Sequence, residues 1–277
     1  MSAAVSAVQL AALRKYAGRF AARPPIFASF PEGGRPVFPF AADSDRGLGV
    51  LLLYAALYRP GGEARAAEAV AGLYRSLGLE VFKLNRIPFP RLKKALEGFP
   101  FPDAEERRRA PGILRSVCDF FYRAGSLKRW LAAASDWEHC VRELSERIYW
   151  MGKRSRLKTK ARHFLWLCAL AGCARCRGAR GFSWPVSRGH GRYYRHILRP
   201  PRSGDQAPES RQEWFSRLAS AAFPEAPWKL FAPLEAYLRP DPEHGYLCRK
   251  VQGGCRPCPL SETCPAAPYL IPAEKRP

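Results

Sequence analysis

The chain has 277 residues, room for one large domain or two small ones, and at 47% hydrophobic it can bury a real core. Its 46 basic and 24 acidic residues leave a net charge of +22, with pI near 10.1, which points to a polyanionic partner, nucleic acid before others. The longest apolar run, residues 48–58, is about half of the ~20 residues a membrane-spanning helix needs, so a bilayer span is excluded.

Apolar periodicity is mostly helical along the chain, and the predicted class is all-α. Residues 8–22 read as an amphipathic helix with Arg14 and Lys15 inside its apolar stretch and no cleavage site after it, so no secretory signal is expected. A Pro/Gly-rich stretch follows, from Pro24 to about Pro39. Residues 46–58 form a strongly apolar helix stopped by Arg59-Pro60-Gly61-Gly62, and residues 63–77 form the next, with Gly78 near its end. Shorter helices are predicted at 89–97, 110–124 and 126–133, the second opening with Pro111 near its first turn. Residues 136–151 and 157–171 make a helix pair. The turn between them is Gly152-Lys153-Arg154-Ser155-Arg156, with Ser155 as N-cap, and one face of the second helix (Leu157, Ala161, Phe164, Leu165, Cys168, Ala171) is apolar. The chain then reads as irregular to about 207. Helices at 209–222 and 227–238 precede Pro240 and Pro242, and nothing reads as a sheet.

Near the C-terminus the string CRKVQGGCRPCPLSETC places Cys248, Cys255, Cys258 and Cys264 in a C-x6-C-x2-C-x5-C frame. Four thiolates in one short loop are a complete ligand set for a tetrahedral metal or an iron–sulfur cluster. With no signal or span, the expected location is cytoplasmic and nucleoid-associated. Thiols stay reduced there, which favours metal ligation over disulfides. Five further cysteines lie outside this frame. Cys168 falls on an apolar helix face and reads as core, while Cys173-x2-Cys176 reads as structural or as half of a zinc site. Asn85 is the only asparagine and four glutamines occur, and such amide scarcity beside abundant Arg and Pro fits a thermophile's protein.

The cysteine frame, with His-Gly-Tyr-Leu-Cys at 244–248 before it, resembles the iron–sulfur loop of the endonuclease III branch of the helix-hairpin-helix DNA glycosylases. The resemblance implies a [4Fe-4S] cluster on Cys248, Cys255, Cys258 and Cys264, with zinc as the chemical alternative in the same four thiolates. It also implies a fold of two helical subdomains flanking a DNA-binding groove. One would span 40–172 and end in the helix-hairpin-helix-like pair 136–171. The other would combine 1–39 with 173–277 and carry the iron–sulfur loop, 244–266. The implied partner is DNA, duplex before single strand, met by a monomer.

In that family the hairpin grips phosphates through backbone N–H groups and the positive end of its second helix. Here the hairpin offers only Gly152, followed by Lys153, Arg154, Arg156, Lys158, Lys160 and Arg162. These side chains read as phosphate contacts or as a solvated basic helix face. Arg188 and Arg192 further along, and Arg249, Lys250 and Arg256 in the cysteine loop, join them as candidate DNA contacts. Tyr193-Tyr194, with Trp166 and Trp184, read as base-stacking groups or as helix packing.

Lyase-type members carry a nucleophilic lysine at the start of the second hairpin helix, a place Lys158 or Lys160 could take if its pKa were depressed; both equally suit plain phosphate contacts. The family's catalytic aspartate would fall in Trp184-Pro185-Val186-Ser187-Arg188-Gly189-His190, where Ser187 or Arg188 stands instead. Between Glu146 and Asp205 there are fifteen basic residues and no acidic one, and Asp205 and Glu209 are the nearest carboxylates in sequence. Glycosidic cleavage needs a carboxylate to stabilise the developing positive charge. Two functions therefore stand side by side. One is a base-excision DNA N-glycosylase, with or without abasic-site lyase activity. The other is a catalytically inactive, nucleic-acid-binding [4Fe-4S] protein on the same fold.

Overall fold

A computed structural model describes residues 7–19, 24–34, 36–59, 62–99, 101, 104–134, 136–151, 158–173, 184, 211–230, 240–241 and 245–246. The described residues are mostly helical. The chain divides into two compact units, Arg23–Gly181 and Met1–Ala22 with Phe182–Pro277. The cuts fall after residues 22 and 181, against the expected 39 and 172, and the Pro/Gly-rich stretch belongs to the larger unit. The stretch coils into two short 3-10 turns, Pro25–Ser29 and Pro31–Gly33, that bury Ile26, Phe27 and Phe30. Phe30 packs on Phe38 with ring centroids 5.0 Å apart, and Phe38 meets Tyr74 edge-on at 5.2 Å, so the stretch plugs onto the third helix. Gly33 lies so close to the preceding turn that a Cβ there would sit 2.2 Å from the Phe27 carbonyl oxygen.

The larger unit is built around α2 (Asp45–Leu57), following α1 (Ala7–Arg19) of the other unit. Ser44 caps α2, its Oγ accepting from the Gly47 N–H at 3.0 Å. Every residue from Gly47 to Ala56 is buried. A helix that is apolar all round belongs inside a bundle, and α3 (Glu63–Leu77), α5 (Ala104–Ala124), α6 (Leu127–Ala133) and α8 (Thr159–Leu170) all pack against α2. At the entry to α2, Asp45 ties two elements together. Its carboxylate accepts from the Ser126 hydroxyl at 2.9 Å and from the Lys128 N–H at 2.9 Å, fixing the start of α6.

Helix α3 runs over the expected residues and stops at Gly78, whose φ is +53°. A 3-10 run, Gly78–Arg86, then lies against α5, and α4 (Phe89–Leu96) buries Leu92 and Leu96. Helix α5 begins six residues before the expected start and carries Pro111 in its interior. Proline there forgoes one backbone hydrogen bond. The extra turns offset this with Glu105 and Glu106 at the positive helix end and a Glu105–Arg109 ion pair one turn along.

The pair α7 (Trp137–Arg147) and α8 is present and in contact. Asp136 caps α7, accepting from the His139 N–H at 2.7 Å. The helix ends four residues earlier than expected, at Arg147, so residues 148–151 form a turn. Ser155, the expected cap of α8, lies outside the described residues; Lys158 is the residue flanking that helix. Burial on α8 is not confined to one face. Ala161 to Ala169 are all buried, because α2 and α7 both pack on it.

In the smaller unit, α1 packs on α9 (Arg211–Ala222) and on the 3-10 turn Pro227–Leu230. Arg14 caps α9 from across the unit, donating to the carbonyls of Ala222 at 2.7 Å and Ala221 at 3.0 Å, where a helix C-terminus favours a cation. Trp184 is fully buried, its ring stacked on Phe215 at 5.5 Å and its backbone N–H donating to Ser216 Oγ at 3.0 Å. Of the helix expected at 227–238, residues 227–230 form that turn and the rest lie outside the described residues. The sequence shows no sheet, yet two strands of two residues, Pro240–Asp241 and Gly245–Tyr246, pair antiparallel just before Cys248.

Candidate nucleic-acid interface

The site assembles where α7 hands over to α8. Ile148 and Met151 are 1% and 0% exposed, and they pin both ends of the turn that follows α7. Between these anchors Tyr149 and Trp150 stand out, 51% and 39% exposed, with ring centroids 6.0 Å apart. Tyr149 is held by its backbone N–H, which donates to Ser116 Oγ of α5 at 3.1 Å. Trp150 adopts a φ of +68° and Lys158 a φ of +44°. Among the described residues these are the two non-glycines in the left-handed region, which costs about 1–2 kcal/mol each. They bracket the basic connection 152–157.

Behind the turn, α5 supplies charge. The Arg109 guanidinium lies 3.9 Å from the centroid of the Trp150 ring and pairs with Glu105. Glu106 pairs with Arg59, which follows α2. Trp150, Arg109, Glu106 and Lys160 line one small cleft of about 20 Å3, enough for a water molecule and too small for a nucleobase or a sugar.

The three basic candidates on α8 have different environments. Lys158 is half-buried at the helix start and makes no side-chain cap. Lys160 reaches back to α2 and donates from Nζ to the Ala56 carbonyl at 2.5 Å, satisfying a helix-end oxygen that has no partner within its own helix. Burial lowers its pKa from 10.5 to about 7, with the Arg59 charge acting in the same direction. Arg162 is 4% exposed, and one terminal nitrogen donates to both carboxylate oxygens of Glu138, at 2.7 and 2.8 Å. Burial lowers the Arg162 pKa against the pull of Glu138. Lys160 and Arg162 therefore knit α8 to α2 and α7, and neither offers its charge to a phosphate on the surface.

The other basic candidates, Lys153, Arg154, Arg156, Arg188, Arg192, Arg249, Lys250 and Arg256, lie outside the described residues. So do Cys248, Cys255, Cys258 and Cys264, as well as Tyr193, Tyr194, Asp205 and Glu209. Among the described residues no three His, Cys, Asp or Glu side chains gather as a metal group. Cys118, Cys140 and Cys168 are core residues. Burial pushes the Cys118 and Cys140 thiols up to about 12, so neither supplies a thiolate. Trp166 is buried, as Trp184 is, which makes both packing residues. No helix among the described residues is long and apolar enough to cross a membrane.

Sequence reasoning missed Tyr149, Trp150, Arg109 and Glu106. The first two were hidden by carrying α7 through to residue 151, which turns two exposed tips into helix-face residues. The other two come from α5, some forty residues away, and no local spacing links them to α8. No protein family, curated protein or solved structure matches the chain.

Proposed function

We propose that this chain is a DNA-binding [4Fe-4S] protein built like the helix-hairpin-helix DNA glycosylases, holding duplex DNA by its phosphates at the start of α8. The observation that carries the reading is the placement of Lys158 at the positive end of α8, directly after a connection that contains Lys153, Arg154 and Arg156. A phosphate there meets a helix dipole and basic side chains together, in a stretch with no carboxylate from Arg147 to Gly204. Cys248, Cys255, Cys258 and Cys264 would hold the cluster, and their chemistry suits it: four thiolates within seventeen residues, in a chain whose described core cysteines stay protonated. The bound cluster would supply a covalent brace for the loop that bears Arg249, Lys250 and Arg256.

The test is a binding titration of the anaerobically purified chain on a short duplex across a range of salt. A steep linear fall of log affinity with log salt and little sequence preference are expected. No binding, or a slope worth fewer than about two phosphates, would overturn the reading.

One observation favours an enzyme of base-excision repair at this site. An amine with a pKa of about 7 is partly neutral at physiological pH, as attack on an abasic-site aldehyde requires, and Glu106 places a carboxylate in the same cleft. Because the cleft is too small for a sugar and Glu106 is paired with Arg59, this reading requires the cleft to open and Lys160 to leave the Ala56 carbonyl. Borohydride trapping on duplexes carrying abasic sites and damaged bases tests this. A covalent adduct that disappears in Lys160→Met is the expected result, and no adduct on any duplex leaves DNA binding without lyase chemistry.

A further inference from the structure

The turn between α7 and the basic connection has a feature that phosphate binding does not use. Ile148 and Met151 are buried, while the two residues between them are large aromatics held out in solvent. Burial absorbs five of the other six tryptophans: Trp137, Trp166, Trp184, Trp214 and Trp228 are all at most 7% exposed, against 39% for Trp150, while Trp130 is half-buried with its indole N–H on Glu143. An exposed tryptophan on a left-handed residue is costly twice over, in apolar surface left wet and in backbone strain. The sequence after it is basic and one cation lies against its ring, although Arg109 pairs with Glu105 and Glu106 lines the same cleft. Arg109 lies 3.9 Å from the Trp150 ring centroid, and Lys153, Arg154, Arg156 and Lys158 follow within eight residues. An apolar protein surface gains little from such surroundings, whereas a nucleobase presents a flat ring together with the phosphates on either side of it.

We propose that Tyr149 and Trp150 form a stacking platform for an unpaired DNA base, placed beside the phosphate-binding start of α8. The proposal rests on the DNA-binding reading above and adds the strand state of its partner. In a paired duplex the base faces are covered by their neighbours, so the platform has nothing to stack on. A base that is unpaired, bulged or at the edge of a single strand exposes its face, and stacking on an aromatic side chain is indifferent to base identity. Rigid anchoring suits the role, since Ile148, Met151 and the Tyr149 N–H to Ser116 bond fix the turn before any base arrives. The chain would accordingly favour DNA carrying an unpaired base over matched duplex, through contacts that do not depend on salt.

The experiment compares the full chain with Trp150→Ala, Trp150→Phe and Tyr149→Ala on two probes, a matched duplex and the same duplex with one bulged 2-aminopurine. Wild type is expected to bind the bulged probe more tightly and to quench its fluorescence. Trp150→Ala should weaken binding to the bulged probe about five- to a hundredfold and leave the matched duplex within about twofold. Trp150→Phe, which keeps an aromatic ring, should recover most of the loss, and the salt slope should not move. Equal losses on both probes would overturn the platform, as would unchanged affinity and quenching in Trp150→Ala and Tyr149→Ala. A wild-type chain that binds neither probe would overturn the DNA-binding reading and the platform with it.

Discussion

Lys160 gives the sharpest handle on the packing beneath the site. Its amine is part-buried against the Ala56 carbonyl, and burial with the nearby Arg59 lowers its pKa from 10.5 to about 7. The unfolded chain therefore holds a proton that the folded chain has released throughout the window from about pH 7 to 10.5. Stability should rise with pH across that window, by at most about 1.4 kcal/mol per pH unit from this one group. Below pH 7 both states are protonated, and the cost of burying the charge is fully present. Replacing Lys160 with Met keeps the apolar stem, removes the titration and forfeits a hydrogen bond worth about 1 kcal/mol. The wild type should thus gain at most about 2 kcal/mol on Lys160→Met between pH 7 and 9, the full figure applying only if water stays out of the cleft. Urea unfolding of both chains at several pH values reads this difference directly, since groups common to both cancel. A difference that is flat with pH, or that shifts toward Lys160→Met as pH rises, would refute a neutral buried amine.

Other consequences follow from the same geometry. Glu138→Gln leaves the buried Arg162 guanidinium without its carboxylate, so stability should fall by about 1–3 kcal/mol in denaturant unfolding while DNA affinity stays unchanged. Gly47→Ala places a Cβ 2.2 Å from the Ala41 carbonyl oxygen and 2.5 Å from that of Ala42, both backbone atoms that cannot rotate away. A loss of at least about 2 kcal/mol, seen as a lowered Tm, is expected. Cys258→Ser should lose the visible iron–thiolate absorbance and most of the bound iron and sulfide, whereas Cys118→Ser should keep both. Changing Lys153, Arg154 and Arg156 together to Ser should reduce the salt slope of DNA binding by about 2–3 and weaken all sequences alike.

What was legible in the sequence was what local spacing encodes. The apolar run at 48–58 and the 3.6-residue pattern at 63–77 specify helices by themselves, because one face or all faces must be buried wherever the chain ends up. The four-cysteine frame and the acid-free basic stretch are likewise properties of the string. The environments of individual side chains were not legible. Lys158, Lys160 and Arg162 look alike in sequence, three cations within five residues. They part company only because α2 presents a helix-end carbonyl to Lys160 and α7 presents Glu138 to Arg162. Such partners lie 104 and 24 residues away, and no periodicity predicts them. The Pro/Gly-rich stretch at 24–39 shows the same limit, since its composition predicts no element whereas its phenylalanines fix it to α3. The sequence alone determined a mostly helical class, a strongly basic net charge and a four-cysteine frame, all of which are sums or spacings along one dimension. Only the tertiary structure decided which cations are spent inside the bundle, which aromatics stay in solvent, and that Glu106 shares a cleft with Lys160, because burial and charge pairing depend on what the fold brings near.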